Sequence, residues 1–190
     1  MSKISVAVLV GSPRAGSWSR KLADALIALA PPDFDFSVVD INGLPLFNPD
    51  LDQRGVEPPA PWTAFRGALR PAQALLFITP EYNRSVPAVL KNALEIGSRP
   101  YGQSVWAGKP AAIASQSSGM MGGFGANHHL RQILVFLDVH VLAQPEIYLN
   151  QVDKLFDDKG ALLEGPGRDL LVRFMGQFHG YVGRHLPAGV

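Results

Sequence analysis

Apolar residues fall in short unbroken blocks along this chain, alternating with stretches in which they recur every three or four positions. The blocks at 4–10, 36–41, 74–79, 111–115 and 139–142 have the length and continuity of strands covered on both faces. The periodic stretches at 17–29, 61–70, 86–97 and 126–137 have the spacing of amphipathic helices. Their alternation predicts an α/β fold, a doubly wound five-stranded parallel sheet with helices on both faces. Leu170, Phe174, Phe178 and Val182 follow at steps of four and predict a closing helix over 165–186, despite its glycines. The segment 42–61, rich in Pro, Asp and Gly, breaks the rhythm after the second strand; so long a stretch without periodicity is expected to cover a site or to be mobile.

The length of 190 residues with 47% hydrophobic content suits one domain over 1–190 better than two. Seventeen basic side chains against sixteen acidic ones, with no basic run longer than a pair, argue against nucleic acid and anionic membrane as partners. Zero cysteines exclude disulfides, thiolate catalysis and Cys-ligated metals. No apolar stretch approaches the ~18 to 20 residues that span a bilayer, and the chain opens on a strand rather than a basic leader, so a cytoplasmic protein is expected. The five histidines show no ligand spacing, and the adjacent His128 and His129 point in different directions on a helix, so no metal site is expected.

Three segments carry the candidate chemistry. Residues 11–19, Gly-Ser-Pro-Arg-Ala-Gly-Ser-Trp-Ser, join the first strand to the first helix. Backbone N–H groups, hydroxyls and Arg14 at the positive end of a helix dipole suit an anion. The loop lacks the Gly-Lys-Ser/Thr of a Walker sequence and the three glycines of a dinucleotide fingerprint, so a terminal monophosphate fits it better than a pyrophosphate. The plainer reading is a polar turn with a serine N-cap. After the third strand comes Thr-Pro-Glu-Tyr-Asn-Arg-Ser-Val-Pro (79–87), with a flat Tyr82; after the fourth comes Ser-Gln-Ser-Ser-Gly-Met-Met-Gly-Gly (115–123), whose glycines permit close approach of the backbone to a ligand. Such loops converge beyond the carboxyl ends of the strands in a doubly wound sheet. A phosphate cradle facing an aromatic loop and a donor-rich loop points to a phosphorylated flat heterocycle, FMN more naturally than a sugar phosphate.

At these residues the chain resembles the NADPH-dependent FMN reductase family, in particular its chromate and quinone reductase-like branch. GSPRAGSWSRKLA, TPEYNRSVPAVLKNALE and GKPAAIASQSSGMMGG carry the resemblance, which spans about residues 3 to 145. It implies a flavodoxin-like fold, bound FMN, hydride from NADPH or NADH, a small-molecule electron acceptor (quinone, azo compound, chromate or free flavin), and homodimers that pair into homotetramers. Carried across by position, Ser12, Arg14, Ser17 and Ser19 would hold the phosphate. Pro80, Glu81, Tyr82 and Asn83 would line the isoalloxazine edge, and Ser117 with Gly119 and Gly122 would border its other side. FMN carries the hydride chemistry, so no side chain is assigned a catalytic role, and Glu81 reads as a structural or subunit contact rather than a general acid.

Several smaller expectations follow. Met120 and Met121 offer an adaptable wall for flat acceptors, and Lys91 and Asn92 read as solvated or interfacial. Val86, Val89, Leu90, Leu94 and Ile96 nearly encircle the third helix, which calls for a covering second chain. Gly125 and His128 stand where many of the branch have Arg and Tyr at subunit contacts, and Ser19 where Asn is frequent. The competing function is an electron-carrier or sensor module that binds FMN without nicotinamide turnover. Flavodoxin carriers are usually strongly acidic, and a formal charge of +1 counts against that role.

Overall fold

A computed structural model describes residues 3–186. The described elements run β1 (Ile4–Val10), α1 (Trp18–Leu29), β2 (Phe34–Val39), α2 (Ala60–Leu69), β3 (Ala74–Pro80), α3 (Ala88–Gly97), β4 (Pro110–Gln116), α4 (Phe124–Phe136), β5 (His140–Val141), β6 (Ile147–Leu149) and α5 (Pro166–His185). All strand pairs are parallel, in the order β2-β1-β3-β4-β5, with β6 also on β4. The sheet therefore has five strand positions, the last in two pieces. His140 and Val141 lie beside Pro110 and Ala111, the chain leaves over residues 142–146, and Ile147–Leu149 returns beside Ala114–Gln116. The expected strand at 139–142 is the first piece; the second was not read from the sequence.

The continuous apolar blocks are explained by helices on both faces. Val6 and Val8 of β1 pack with Leu22 and Leu26 of α1 and with Phe174 and Phe178 of α5. The intervening Ala7 and Leu9 pack with Trp62 and Phe65 of α2, Leu90 and Leu94 of α3, and Leu130 and Leu134 of α4. Alternate side chains of one strand thus enter opposite cores, and both must be apolar. Helix α3 ends against the buried Trp106, whose Nε1 donates to Leu94 O at 3.0 Å. A Cβ on Gly97 would fall 2.4 Å from that indole, so only glycine permits the approach.

Residues 42–61 do not line the pocket where the loops after β1, β3 and β4 meet, and the stretch 44–52 is tied to α2 and α3. Phe47 N donates to Asn92 Oδ1 at 2.8 Å, and Asn92 Nδ2 donates to the carbonyls of Leu44 and Pro45. Trp62 Nε1 donates to Pro45 O, and Arg66 grips Asp52 with both terminal nitrogens at 3.0 and 2.8 Å. Two expectations change accordingly. Asn92 is a buried clamp for this segment rather than a solvated residue, while Lys91 pairs with Glu95 at the surface. Leu90, Leu94 and Ile96 are covered within the chain, by the core and not by a partner, and Val86 and Val89 are only half-buried.

Candidate active site at the carboxyl edge of the sheet

Strand order reverses between β1 and β3, which opens a crevice at their carboxyl ends. The loops after β1, β3 and β4 meet there around a pocket of about 230 Å³. The first loop and the start of α1 contribute Ser12, Arg14, Ser17 and Trp18; the second contributes Pro80, Glu81 and Tyr82; the third contributes Gln116, Ser117 and Ser118.

The first loop is an assembled set of donors. Ser17 caps α1, its Oγ accepting the Arg20 N–H at 3.2 Å, so its own hydroxyl proton is left to point elsewhere. Gly16 takes a φ of 65°, which turns the chain into that cap. The N–H groups of Gly16, Trp18 and Ser19 find no acceptor among the described residues, and Arg14 forms no ion pair there. Ser12 is buried, with Oγ 3.2 Å from Tyr82 Oη, and so ties the first loop to the second.

The second loop is a two-residue hairpin. Tyr82 and Ser85 exchange backbone hydrogen bonds of 3.0 Å each, with Asn83 and Arg84 at φ of 50° and 67° between them. Positive φ at both central positions matches the right-handed strand twist but suits glycine better than arginine. A left-handed non-glycine residue costs ~1–2 kcal/mol and the greater chain entropy of an unfolded glycine returns ~0.5–1. Arg84→Gly is therefore expected to stabilise the protein by about 0.5–1 kcal/mol, read as a higher urea midpoint, because the Arg84–Glu81 pair it removes is long, at 3.4 Å, with its guanidinium end in solvent, and Glu81 keeps the Ala126 N–H as its partner. A lower midpoint would contradict the strain.

Glu81 has a structural task, in line with its sequence reading. Its Oε2 accepts the Ala126 N–H at 3.1 Å and so satisfies an open donor in the first turn of α4. Gly125 makes this possible, since a Cβ there would sit 2.9 Å from that carboxylate oxygen.

Four of the expected cofactor residues are not among those lining this pocket. Ser19 is 0% exposed and its Oγ accepts from Gln116 Nε2 at 2.9 Å, so its hydroxyl orients Gln116 instead of opening on the pocket. Asn83, at the hairpin tip, lines the neighbouring groove between α3 and α4. Gly119 holds the third loop together through its carbonyl, which accepts from Ser117 Oγ at 3.0 Å. Gly122 is buried under β6, where a Cβ would meet Tyr148 C at 2.5 Å. Met120 and Met121 stand exposed outside the pocket. Trp18, Gln116 and Ser118 were missed as lining residues, although Gln116 is the last residue of β4 and Trp18 the first of α1, positions that the carboxyl-edge rule marks.

Beside the third loop, Phe124, His128 and Tyr148 form an aromatic cluster, with the Tyr148 hydroxyl 3.0 Å from His128 Nε2. Burial, reinforced by the neighbouring Glu146, pushes the Tyr148 phenol up to about 12. His129 Nδ1 instead meets Ser85 Oγ at 3.0 Å, so the adjacent histidines do diverge. Among the described residues no group of three or more His, Asp or Glu could hold a metal ion, and no helix is long and apolar enough to cross a membrane.

The chain is 50% identical over 183 residues to a quinone reductase of Pseudomonas putida, covering 96% of this chain and 97% of that protein. It is 46% identical to an NADPH:quinone oxidoreductase of Arabidopsis thaliana, with 88% and 86% covered. The structure superposes on FerB, a flavoenzyme NAD(P)H:(acceptor) oxidoreductase from Paracoccus denitrificans, with a TM-score of 0.88 at 33% identity, covering 96% of this chain and 98% of that one. A flavodoxin from Pseudomonas aeruginosa shares the fold, at TM-score 0.58 and 17% identity, over 93% of this chain and 100% of that one. Residues 4–154 match the description of the NADPH-dependent FMN reductases, and with these relatives over nearly its whole length the chain belongs to that family.

Proposed function

We infer that the protein is an NAD(P)H-dependent oxidoreductase that uses FMN to pass electrons from a reduced nicotinamide to a small acceptor, a quinone foremost. The observation that carries this is the set of donors beside Tyr82, the Arg14 guanidinium and the N–H groups of Gly16, Trp18 and Ser19, that find no acceptor among the described residues. Such a set fits a phosphate monoester, whose dianion rewards several charge-assisted donors on one group. Ser12, Ser17 and Arg14 would hold the phosphate; Pro80 and Tyr82 on one side and Gln116, Ser117 and Ser118 on the other would border the ring. When bound, FMN supplies a hydride acceptor that can return both electrons to a second substrate. The protein's part is positional. Ser19 holds Gln116, Ala126 N–H holds Glu81, and Ser12 holds Tyr82, so three loops keep one geometry. Glu81, already engaged by α4, takes no part in proton transfer.

The test is anaerobic mixing of the purified yellow protein with NADPH or NADH. The flavin absorbance is expected to bleach rapidly and to return on adding benzoquinone, and denaturation is expected to release FMN, not FAD. An oxidised spectrum that persists with both nicotinamides would favour the carrier reading.

A homodimer is part of the same proposal. On α4, Val135 and Phe136 are 75% and 88% exposed, and Phe136 borders a groove of about 840 Å³ that also takes in Val86, Ile133 and Tyr82. An apolar face of this kind abutting the site suits a second copy of the chain. Phe136→Asp is expected to convert a dimer to a monomer in light scattering at micromolar concentration. A monomeric parent protein with full activity would overturn the interface.

A further inference from the structure

A second cleft lies on the other side of the 12–16 loop, toward β2, with a volume of about 490 Å³. That is within the ~300–1,000 Å³ typical of small-molecule sites. Val38 and Val39 at the end of β2 and Ile41 just beyond it form its apolar wall. Arg14, Arg20, Asp40 and Asn42 supply its polar groups. Ser12 and Arg14 also line the flavin pocket, so the two spaces flank one short loop. The flavin reading leaves Arg20 and Asp40 without a task.

We propose that this cleft receives the adenosine-diphosphate end of the reduced nicotinamide donor, with Arg20 on the phosphates and Asp40 on the ribose hydroxyls. The proposal rests on the reductase reading of the flavin pocket. Among the described residues the Arg20 side chain has one partner, an exposed pair with Asp24 at 3.1 Å that is worth little in water, so its guanidinium can turn to a stronger anion. Its planar fork of N–H donors matches the oxygens of a pyrophosphate. Asp40 spends Oδ1 on the Asn42 N–H at 2.9 Å, while Oδ2 has no partner among the described residues. A carboxylate just beyond the second strand is placed to accept from a ribose diol, and it repels a 2′-phosphate. The cleft should therefore favour NADH over NADPH.

ADP titrated into the FMN-loaded protein by calorimetry is the direct probe. The parent protein is expected to bind ADP, and Arg20→Ala to weaken that binding about tenfold and to raise KM for both nicotinamides by a similar factor. FMN affinity and reoxidation by benzoquinone should stay unchanged in this variant. Asp40→Asn should shift the ratio of kcat/KM values toward NADPH about tenfold. Failure of the parent protein to bind ADP, or ADP binding and donor KM insensitive to Arg20, would overturn the cleft while the flavin is still reduced normally. A flavin that neither nicotinamide reduces would instead remove the reductase reading itself.

Discussion

Replacing Arg14 by alanine is expected to raise the FMN dissociation constant roughly tenfold or more, since a hydrogen bond to a charged partner is worth ~1.5–3 kcal/mol. Arg14 has no other employment: it forms no ion pair among the described residues, and its side chain opens on the pocket beside Ser12 and Ser17. The fold should be untouched, with an unaltered far-ultraviolet spectrum and urea midpoint. Ser17→Ala should weaken FMN as well but also lower stability by about 0.5–2 kcal/mol, because the same oxygen caps α1. Fluorescence titration of apoprotein with FMN measures both. Unchanged affinity in the two variants would mean that the first loop does not hold the phosphate.

The largest loss of stability is expected at the other end of the molecule, from Asp52→Ala. Arg66 and Asp52 are joined by two hydrogen bonds, and their side chains are only 6% and 5% exposed. Removing the carboxylate strands a buried guanidinium that keeps one neutral partner, Ile96 O at 2.9 Å. Breaking a buried pair from one side costs about 3–5 kcal/mol, whereas replacing both members by apolar residues of similar volume is often neutral. Urea unfolding of Asp52→Ala and of the double variant Asp52→Leu with Arg66→Met separates the two effects. A loss under about 1 kcal/mol in the single variant, or an equal loss in the double one, would sink this account.

That pair also shows where reading from sequence stops. The strands of the central sheet were legible because Val6 to Val10 and Leu75 to Ile78 are apolar without interruption, a local signature of burial on both faces. The order of the loops along the carboxyl edge followed from the winding, so Ser12, Arg14, Ser17, Pro80, Glu81, Tyr82 and Ser117 were brought to one pocket as the sequence suggested. Residues 42–61 were misjudged because their anchors, Asn92 and Arg66, lie 45 and 14 positions from their partners and leave no mark on local periodicity. Ser19 and Ser17 look alike in the sequence, but half a turn of helix separates the one facing the pocket from the one tucked beneath β4. Ile147–Leu149 is too short, between Pro145 and Asn150, to announce itself as a strand.

The broken fifth strand bears on how the protein behaves in a crowded solution. An uninterrupted outer strand would present a ladder of unpaired N–H and C=O groups on which another molecule's strand could grow. Here the ladder lasts two residues, departs over 142–146 with Pro145 offering no N–H at all, and resumes for three. Neither fragment is long enough to template an added strand. That edge of the sheet is thereby closed to edge-to-edge pairing, whereas the opposite edge is the unbroken β2.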